Sequence, residues 1–456
     1  MKSSQVAKLM KLIPTLFACL LSVISFAQEI AVEAEVATLG LFSSEEINPF
    51  WFSVNSSTAV GAATTFSSVA NVVATMDLEN ESELSLGTAL LFRNEIENEF
   101  QRRDLFAQYK NSWLIATAGP KRQEDKLNGL SISNQSFIFS RNARPLPGLQ
   151  IEANKPLKLT ETFSIDWSIG HYYLNDDRYV EDVMVHEKRL GLITTFGNQS
   201  KLTLRIQHVA QWGGTTPEGI ELDKDISTFI KVFFAAKGDK SGDFGEALNA
   251  VGNHIGTFFF DYTFLTEVGQ FSVYHDHPFE DGSGTRFANF PDGIWGVNFQ
   301  PENKKIISQF LYEFIDTSDQ SGVPSTSGAD GYFGNNIYRS GWTYEGNVIG
   351  YPLILSDPSI ILNDQNTAFI SNRSQVHHFG FAGTFKKVDW QVKSSIVKQM
   401  GTYRKPFEPE LTSWFNYVSA SYTTEKYGKF TLLGGFDSYK IGPTVAGGGL
   451  KYMYGF

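Results

Sequence analysis

Thiols are almost absent from this chain: Cys19 is its only cysteine, and it lies in an apolar stretch near the N-terminus. A single thiol excludes an internal disulfide framework and any thiolate metal site. Long apolar runs are equally scarce. After residues 12–26, no segment approaches the roughly 18 uninterrupted apolar residues of a membrane helix. Basic residues are outnumbered, 38 Lys and Arg against 49 Asp and Glu, so the net charge of −11 leaves no basic footprint for nucleic acid. The sequence contains neither a Gly-x-Ser-x-Gly elbow nor a His-Glu-x-x-His pair. It also lacks a linker, a composition shift or a low-complexity tract that would divide it.

Lys2, Lys8 and Lys11 precede the one apolar run, and Ser25-Phe26-Ala27 gives a small-x-small cleavage pattern before Gln28. The expected signal peptide is residues 1–27. Its removal takes three lysines and Cys19 with it, moving the charge from −11 to −14. An exported chain without membrane helices that still enters a membrane must satisfy its backbone in a closed barrel.

The far end of the chain supplies the positive signal. In Leu450-Lys451-Tyr452-Met453-Tyr454-Gly455-Phe456, the first, third, fifth and last residues fall on one side of a strand, and Lys451, Met453 and Gly455 on the other. An aromatic face opposite a polar or small one suits lipid outside and water inside. The same alternation recurs at Phe163, Ile165, Trp167 and Ile169, at Leu202, Leu204 and Ile206, and at Trp390, Val392 and Ile396. Asp166, Arg205 and Lys393 take the opposite face, where charge meets a wet lumen. With 38 Phe, 18 Tyr and 8 Trp the chain is rich enough in aromatics to furnish interfacial girdles.

Connection lengths give a topology. If Phe456 is periplasmic, the segments at 440–444, 401–412, 316–375 and 278–291 fall outside, and the turns at 424–429, 386–389, 301–304 and 267–269 inside. Upstream of about residue 258 the parity becomes ambiguous, because Asn198-Gln199-Ser200 reads as a tight turn on the wrong side. Phe244, Ala247, Leu248 and Val251 fall at helical spacing. The reading is an all-β fold: one large antiparallel transmembrane β-barrel of roughly 16–20 strands with long extracellular loops. A short periplasmic segment is expected over 28–65 and the barrel over 66–456.

Several stretches, in order, resemble the Wzi-type capsule-assembly family, particularly its forms from the Bacteroidetes. They are Asn48-Pro49-Phe50-Trp51 with Asn55, residues 142–148, residues 252–256, residues 274–284, residues 292–296, residues 338–346 with Gly350, Asn372-Arg373, and His377-His378-Phe379-Gly380. The resemblance implies an outer-membrane barrel, about 18-stranded in the enterobacterial form. It further implies binding of capsular polysaccharide at the cell surface without catalysis. That form also carries a periplasmic helical bundle, for which the residues before 66 are too few.

Candidate site residues follow from chemistry beside that resemblance. Tyr338, Trp342 and Tyr344 stand among Asn336 and Arg339, and sugars stack on aromatic rings while their hydroxyls pair with planar polar groups. Trp342 and Tyr344 share a face if extended. His275-Asp276-His277 with Glu280 and Asp281 forms the densest polar cluster, and Trp295 follows it as a further candidate. The cluster admits a two-histidine metal site or a carboxylate pair, but a strand end running into a glycine-rich loop accounts for it as well. His377 and His378 point to opposite faces. Arg144 can hold an acidic sugar through two parallel hydrogen bonds. The expectation is a monomeric polysaccharide-binding barrel with no catalytic residues, metal or cofactor, whose partners are capsular or exopolysaccharide, outer-membrane lipid and the barrel-assembly machinery. A sugar-selective porin is the alternative and a barrel enzyme a third reading. A porin requires an open lumen, a binder loops that close it.

Overall fold

A computed structural model describes residues 30–456 except 79, 238–249, 305, 323–329 and 364. The signal peptide expected at 1–27 lies outside the described residues, as do Phe244, Ala247 and Leu248 of the expected loop helix. The strands are β1 (Ile30–Ser43), β2 (Phe66–Leu78), β3 (Ser82–Arg93), β4 (Phe100–Lys110), β5 (Leu114–Ala118) and β6 (Gly148–Ala153). There follow β7 (Phe163–Leu174), β8 (Val183–Thr195), β9 (Lys201–Trp212), β10 (Asn253–Thr266), β11 (Gly269–Phe279) and β12 (Gly293–Pro301). The last are β13 (Ile307–Asp316), β14 (Arg373–Phe385), β15 (Val388–Gly401), β16 (Pro406–Thr423), β17 (Lys429–Tyr439) and β18 (Val445–Gly455). Each pairs antiparallel with the next, and a two-residue strip at Leu157–Lys158 is added beside β7.

The ring closes between β1 and β18, in register from Glu35↔Gly455 to Ser43↔Gly447. Residues 30–43 are therefore the first barrel strand and not part of a periplasmic segment. Glu33 and Glu35 disguise it: Glu35 faces the lumen beside Ala37, Leu39 and Leu41, while Val32 and Phe42 are 59% and 70% exposed on the outer wall. The rest of the expected segment, residues 44–65, turns back inside the barrel. It holds only the four-residue helix α1 (Phe50–Ser53).

Alternation sorts the remaining strands. On β18, Leu450, Tyr452 and Phe456 are exposed on the outer wall while Lys451 and Met453 line the lumen. Leu190, Leu204, Phe260, Val392, Val418 and Leu432 continue a band of exposed apolar side chains around the ring. So large a band has no place in water and marks the surface that lipid covers. Short turns gather at one rim (111–113, 196–200, 267–268, 386–387, 424–428), and the five longest connections (44–65, 119–147, 213–252, 280–292, 317–372) at the other. The parity thus holds for the whole chain. The turn at 198–200 belongs to the short-turn rim, and among the described residues the long connection 213–252 contributes no further barrel strand.

Candidate functional site

An eighteen-stranded ring encloses a lumen too wide for its own side chains to fill, and three inserts occupy the long-loop half. The innermost is the connection 119–147, in which Leu130, Ile132, Phe137 and Ile138 are fully buried. Inward-facing polar residues hold its backbone. Glu313 on β13 accepts hydrogen bonds from Ser131 Oγ (2.7 Å), Ile132 N (3.0 Å) and Tyr274 OH (2.7 Å). Asp276 on β11 accepts from Phe137 N (2.8 Å). His378 on β14 donates through Nε2 to Leu130 O (2.7 Å), since a carbonyl only accepts, and Nδ1 then accepts from Ser395 Oγ (2.9 Å). These bonds answer the problem of irregular backbone at membrane depth, which is tolerated only where protein satisfies it.

The second insert is the hook formed by 44–65. Glycines make room for it: a Cβ at Gly435 would lie 2.6 Å from Pro49 Cβ and 2.9 Å from the Phe52 ring. Asp437 accepts from Phe50 N (2.6 Å), and the Phe50 ring stacks on Phe415 at 4.4 Å. Asn55 Nδ2 donates to Ile132 O (2.7 Å), tying the hook to the inner loop.

The third insert is the lid, residues 330–372. Phe137 of the inner loop packs against Tyr332, Phe333 and Tyr351 at 5.2–6.0 Å between ring centres. Ser140 Oγ donates to Gly350 O (2.5 Å) and Asn142 Nδ2 to Val348 O (3.1 Å). From the short connection 175–182, buried Arg178 donates to Thr343 O (3.2 Å) and Gly341 O (3.1 Å) and pairs with Asp176 (3.1 Å). At the lid's edge, Asp292 accepts from Asp319 N (3.0 Å), Gln320 N (2.9 Å) and Tyr332 OH (2.8 Å). Burial outweighs those three donors and pushes its carboxyl up to about 7.

Below the plug, toward the short-turn rim, a chamber of about 650 Å³ remains. Arg103, Arg122, Arg141, Lys393, Lys429 and Lys451 line it against Glu35, Asp125 and Asp389, giving a cationic wall within an acidic chain. Arg141 pairs with Asp125, and Lys393 Nζ lies 4.5 Å from the Trp51 ring and 5.3 Å from that of Tyr417. Cations, amides, hydroxyls and two aromatic walls suit an anionic, hydroxyl-rich molecule. Among the described residues, no three His, Cys, Asp or Glu converge on a possible metal position.

The sequence-derived candidates separate into three places. Trp342, Tyr344 and Tyr338 are 1–3% exposed inside the plug. Their polar atoms donate to Ile138 O (2.8 Å), Asn175 Oδ1 (2.9 Å) and Gly213 O (3.2 Å). Their rings fill the barrel mouth, so protein and not solvent covers the faces expected to stack on sugar. His275, His277 and Trp295 do share a face, but it is the outer wall, where Trp295 stacks on His275 at 3.7 Å. Glu280 accepts from Phe333 N (2.7 Å), and Asp281 caps the turn at Ser283 N (2.6 Å). Arg144 pairs with Glu345 of the lid. Asn336 is exposed on the lid, and Arg339 beside it is half-buried with Nη1 donating to Asn366 O (3.2 Å). Sequence reasoning missed Glu313 and Arg178 and saw Asp276 only as part of the histidine cluster, although a carboxylate at an inward position of an otherwise apolar strand is itself a signal that something charged or polar fills the lumen.

Closure, outer band and plug together define the class, a large outer-membrane-type β-barrel with its mouth sealed from within. Residues 131–353 match the family model described as capsule assembly protein Wzi. Among solved structures it is similar to Wzi of Escherichia coli, described as an outer membrane protein involved in group 1 capsule assembly and a carbohydrate-binding β-barrel. The identity is 13% and the TM-score 0.60, over 92% of this chain and 83% of that one. OprD of Pseudomonas aeruginosa matches at 7% identity and a TM-score of 0.49, over 94% of each chain. A BenF-like porin of Pseudomonas fluorescens Pf-5 matches at 8% and 0.48, over 94% of this chain and 98% of that one. No curated protein matches the sequence.

Proposed function

We propose that this barrel binds surface polysaccharide in the outer membrane and supports capsule or exopolysaccharide assembly or attachment, acting as a monomer and without catalysis. It reaches that membrane through a cleaved signal peptide at 1–27 and the barrel-assembly machinery. The plug carries the reading. The family match over 131–353 takes in most of the inner loop and the lid as far as Leu353, the two inserts that seal the mouth. A transport channel has no use for a mouth filled by fully buried Phe137, Tyr332 and Tyr351. In this reading the lid's outward surface around Asn336 and Arg339 meets the polymer. Tyr338, Trp342 and Tyr344 hold that surface in shape from beneath, and Arg144 fixes it through Glu345.

The test is binding of the native capsular polymer to purified full-length protein, with heat-modifiable mobility as the folding control. Saturable binding by wild type and several-fold weaker binding by Asn336→Ala/Arg339→Ala are expected. Folded protein that binds none of its own polymer would overturn the assignment.

A further inference from the structure

The outer wall has one sector whose chemistry does not suit lipid. On β9 the outward apolar residues run only from Leu202 to Ile206, about 13 Å at roughly 3.3 Å per residue, against a band of about 25 Å in such barrels. On β15 the outward apolar residues Val388, Val392 and Ile396 cover twice as many positions. Beyond Ile206, toward the long-loop rim, the same face carries Lys188, paired across strands with His208, and then His186, paired with Ala210, which in turn pairs with His254. Their hydrogen bonds form one chain: Lys188 Nζ donates to His208 Nδ1 (2.9 Å), His208 Nε2 to His254 Nδ1 (2.9 Å), and His254 Nε2 to Val251 O (2.8 Å). Both His186 ring nitrogens are buried.

Helix α2 (Ile226–Phe233) lies over this cluster. Asp225 caps it by accepting from Thr228 N (2.7 Å). Its inner face sets Phe229 and Phe233 each 5.1 Å from His186, and Val232 packs with Ala210, Trp212 and Val251. Lys188 Nζ also donates to Phe233 O at the end of the helix. The opposite face is apolar and uncovered: Ile226, Ile230 and Phe234 are 79%, 52% and 72% exposed at four-residue intervals.

We propose that α2 is an interfacial helix whose Ile226–Ile230–Phe234 stripe is seated in the outer leaflet, completing the lipid-facing band over the sector where β8–β10 turn polar. The occupant is lipid because the stripe continues the exposed apolar row of Ile206, Leu190 and Leu204 directly below it. An amphipathic helix with one aromatic and two aliphatic side chains outward is the form that lies in a membrane boundary. The inference stands apart from the polysaccharide assignment.

Single-cysteine variants Ile226→Cys, Ile230→Cys and Phe234→Cys in a Cys19→Ser background test it. The full-length protein carries a nitroxide at each site in phosphatidylethanolamine–phosphatidylglycerol vesicles. Collision rates with oxygen, which concentrates in lipid, are compared with those of a water-soluble nickel chelate. Leu204→Cys on the band and Asn336→Cys on the lid are the references. The expected result is oxygen collision exceeding nickel collision several-fold at Ile230 and Phe234, as at Leu204, with the reverse at Asn336. Nickel collision dominating along the stripe would place the helix in water. Low collision with both would place it against protein, including a second copy. Either outcome overturns the proposal, and three independent positions keep it testable if one variant fails to insert.

Discussion

Single side chains decide whether the inner loop stays in the lumen. Glu313 holds three donors at once, and Glu313→Ala strands Ile132 N–H and Tyr274 OH in a dry interior, at a cost of about 1–3 kcal/mol for each group. Protease cleavage within 119–147 should rise at least tenfold while heat-modifiable mobility of the barrel persists; unchanged protection would remove Glu313 from the anchor. Trp342 acts differently from the expectation that it stacks on sugar. Since it is buried, Trp342→Ala leaves a cavity worth about 3–5 kcal/mol, so the lid should loosen as a whole. Faster amide exchange across 338–354 is the check, and a loss of polymer binding without that loosening would restore the stacking role. Asp292 gives the lid a pH dependence. Its folded pKa lies near 7, above the ordinary carboxylate value, so the folded lid holds the proton more tightly than the open one. Stability is then fullest below about pH 4, falls as pH rises toward 7, and stays low above it. Protection of the Asp319 and Gln320 amides, corrected for intrinsic exchange, should therefore fall between about pH 4 and 7 and lose that slope in Asp292→Asn. A flat profile in wild type would contradict the assignment.

Elements were legible in proportion to how differently their two faces are treated. β18 could be read from its letters because lipid and lumen ask for opposite residues. Replacing Tyr452, Tyr454 and Phe456 by Ser should cut assembled protein several-fold, read as surface level and heat-modifiable mobility. Normal assembly of that variant would contradict the lipid-facing role of the strand. β1 escaped notice because Ala34, Gly40 and the lumen-facing glutamate Glu35 blur the contrast. The aromatic, glycine-rich lid was ambiguous for a different reason: a sugar platform and a plug both need rings and tight turns, and no local spacing states which side another loop covers. The contacts that settle it join residues far apart in the chain, such as Trp342 to Ile138 and Arg178 to Gly341. α2 did leave a trace, Asp225 followed by Ile226, Phe229, Ile230 and Phe233 at helical spacing. An outer-wall helix is simply not what a barrel alternation invites one to look for.

At the scale of the whole molecule, several of the family-like segments scattered from Asn48 to Gly380 meet at the plug, where Asn55, Asn142 and His378 each tie one insert to another or to the wall. These contacts seal the barrel, so that the proposed polymer binder passes nothing through its bore. Single-channel conductance in planar bilayers tests this most directly, using the intact chain beside two excisions. Removing 331–351 takes away part of the lid and leaves the inner loop in place, so current should remain small. Replacing 120–147 by a short turn is geometrically permitted, because Gly119 N already donates to Gly148 O at 2.7 Å. That variant should open a stable pore into the cationic chamber, with anions favoured. Intact protein that is silent beside an inner-loop excision that conducts is the predicted result. A large, steady conductance from the intact chain would contradict the account and favour a channel.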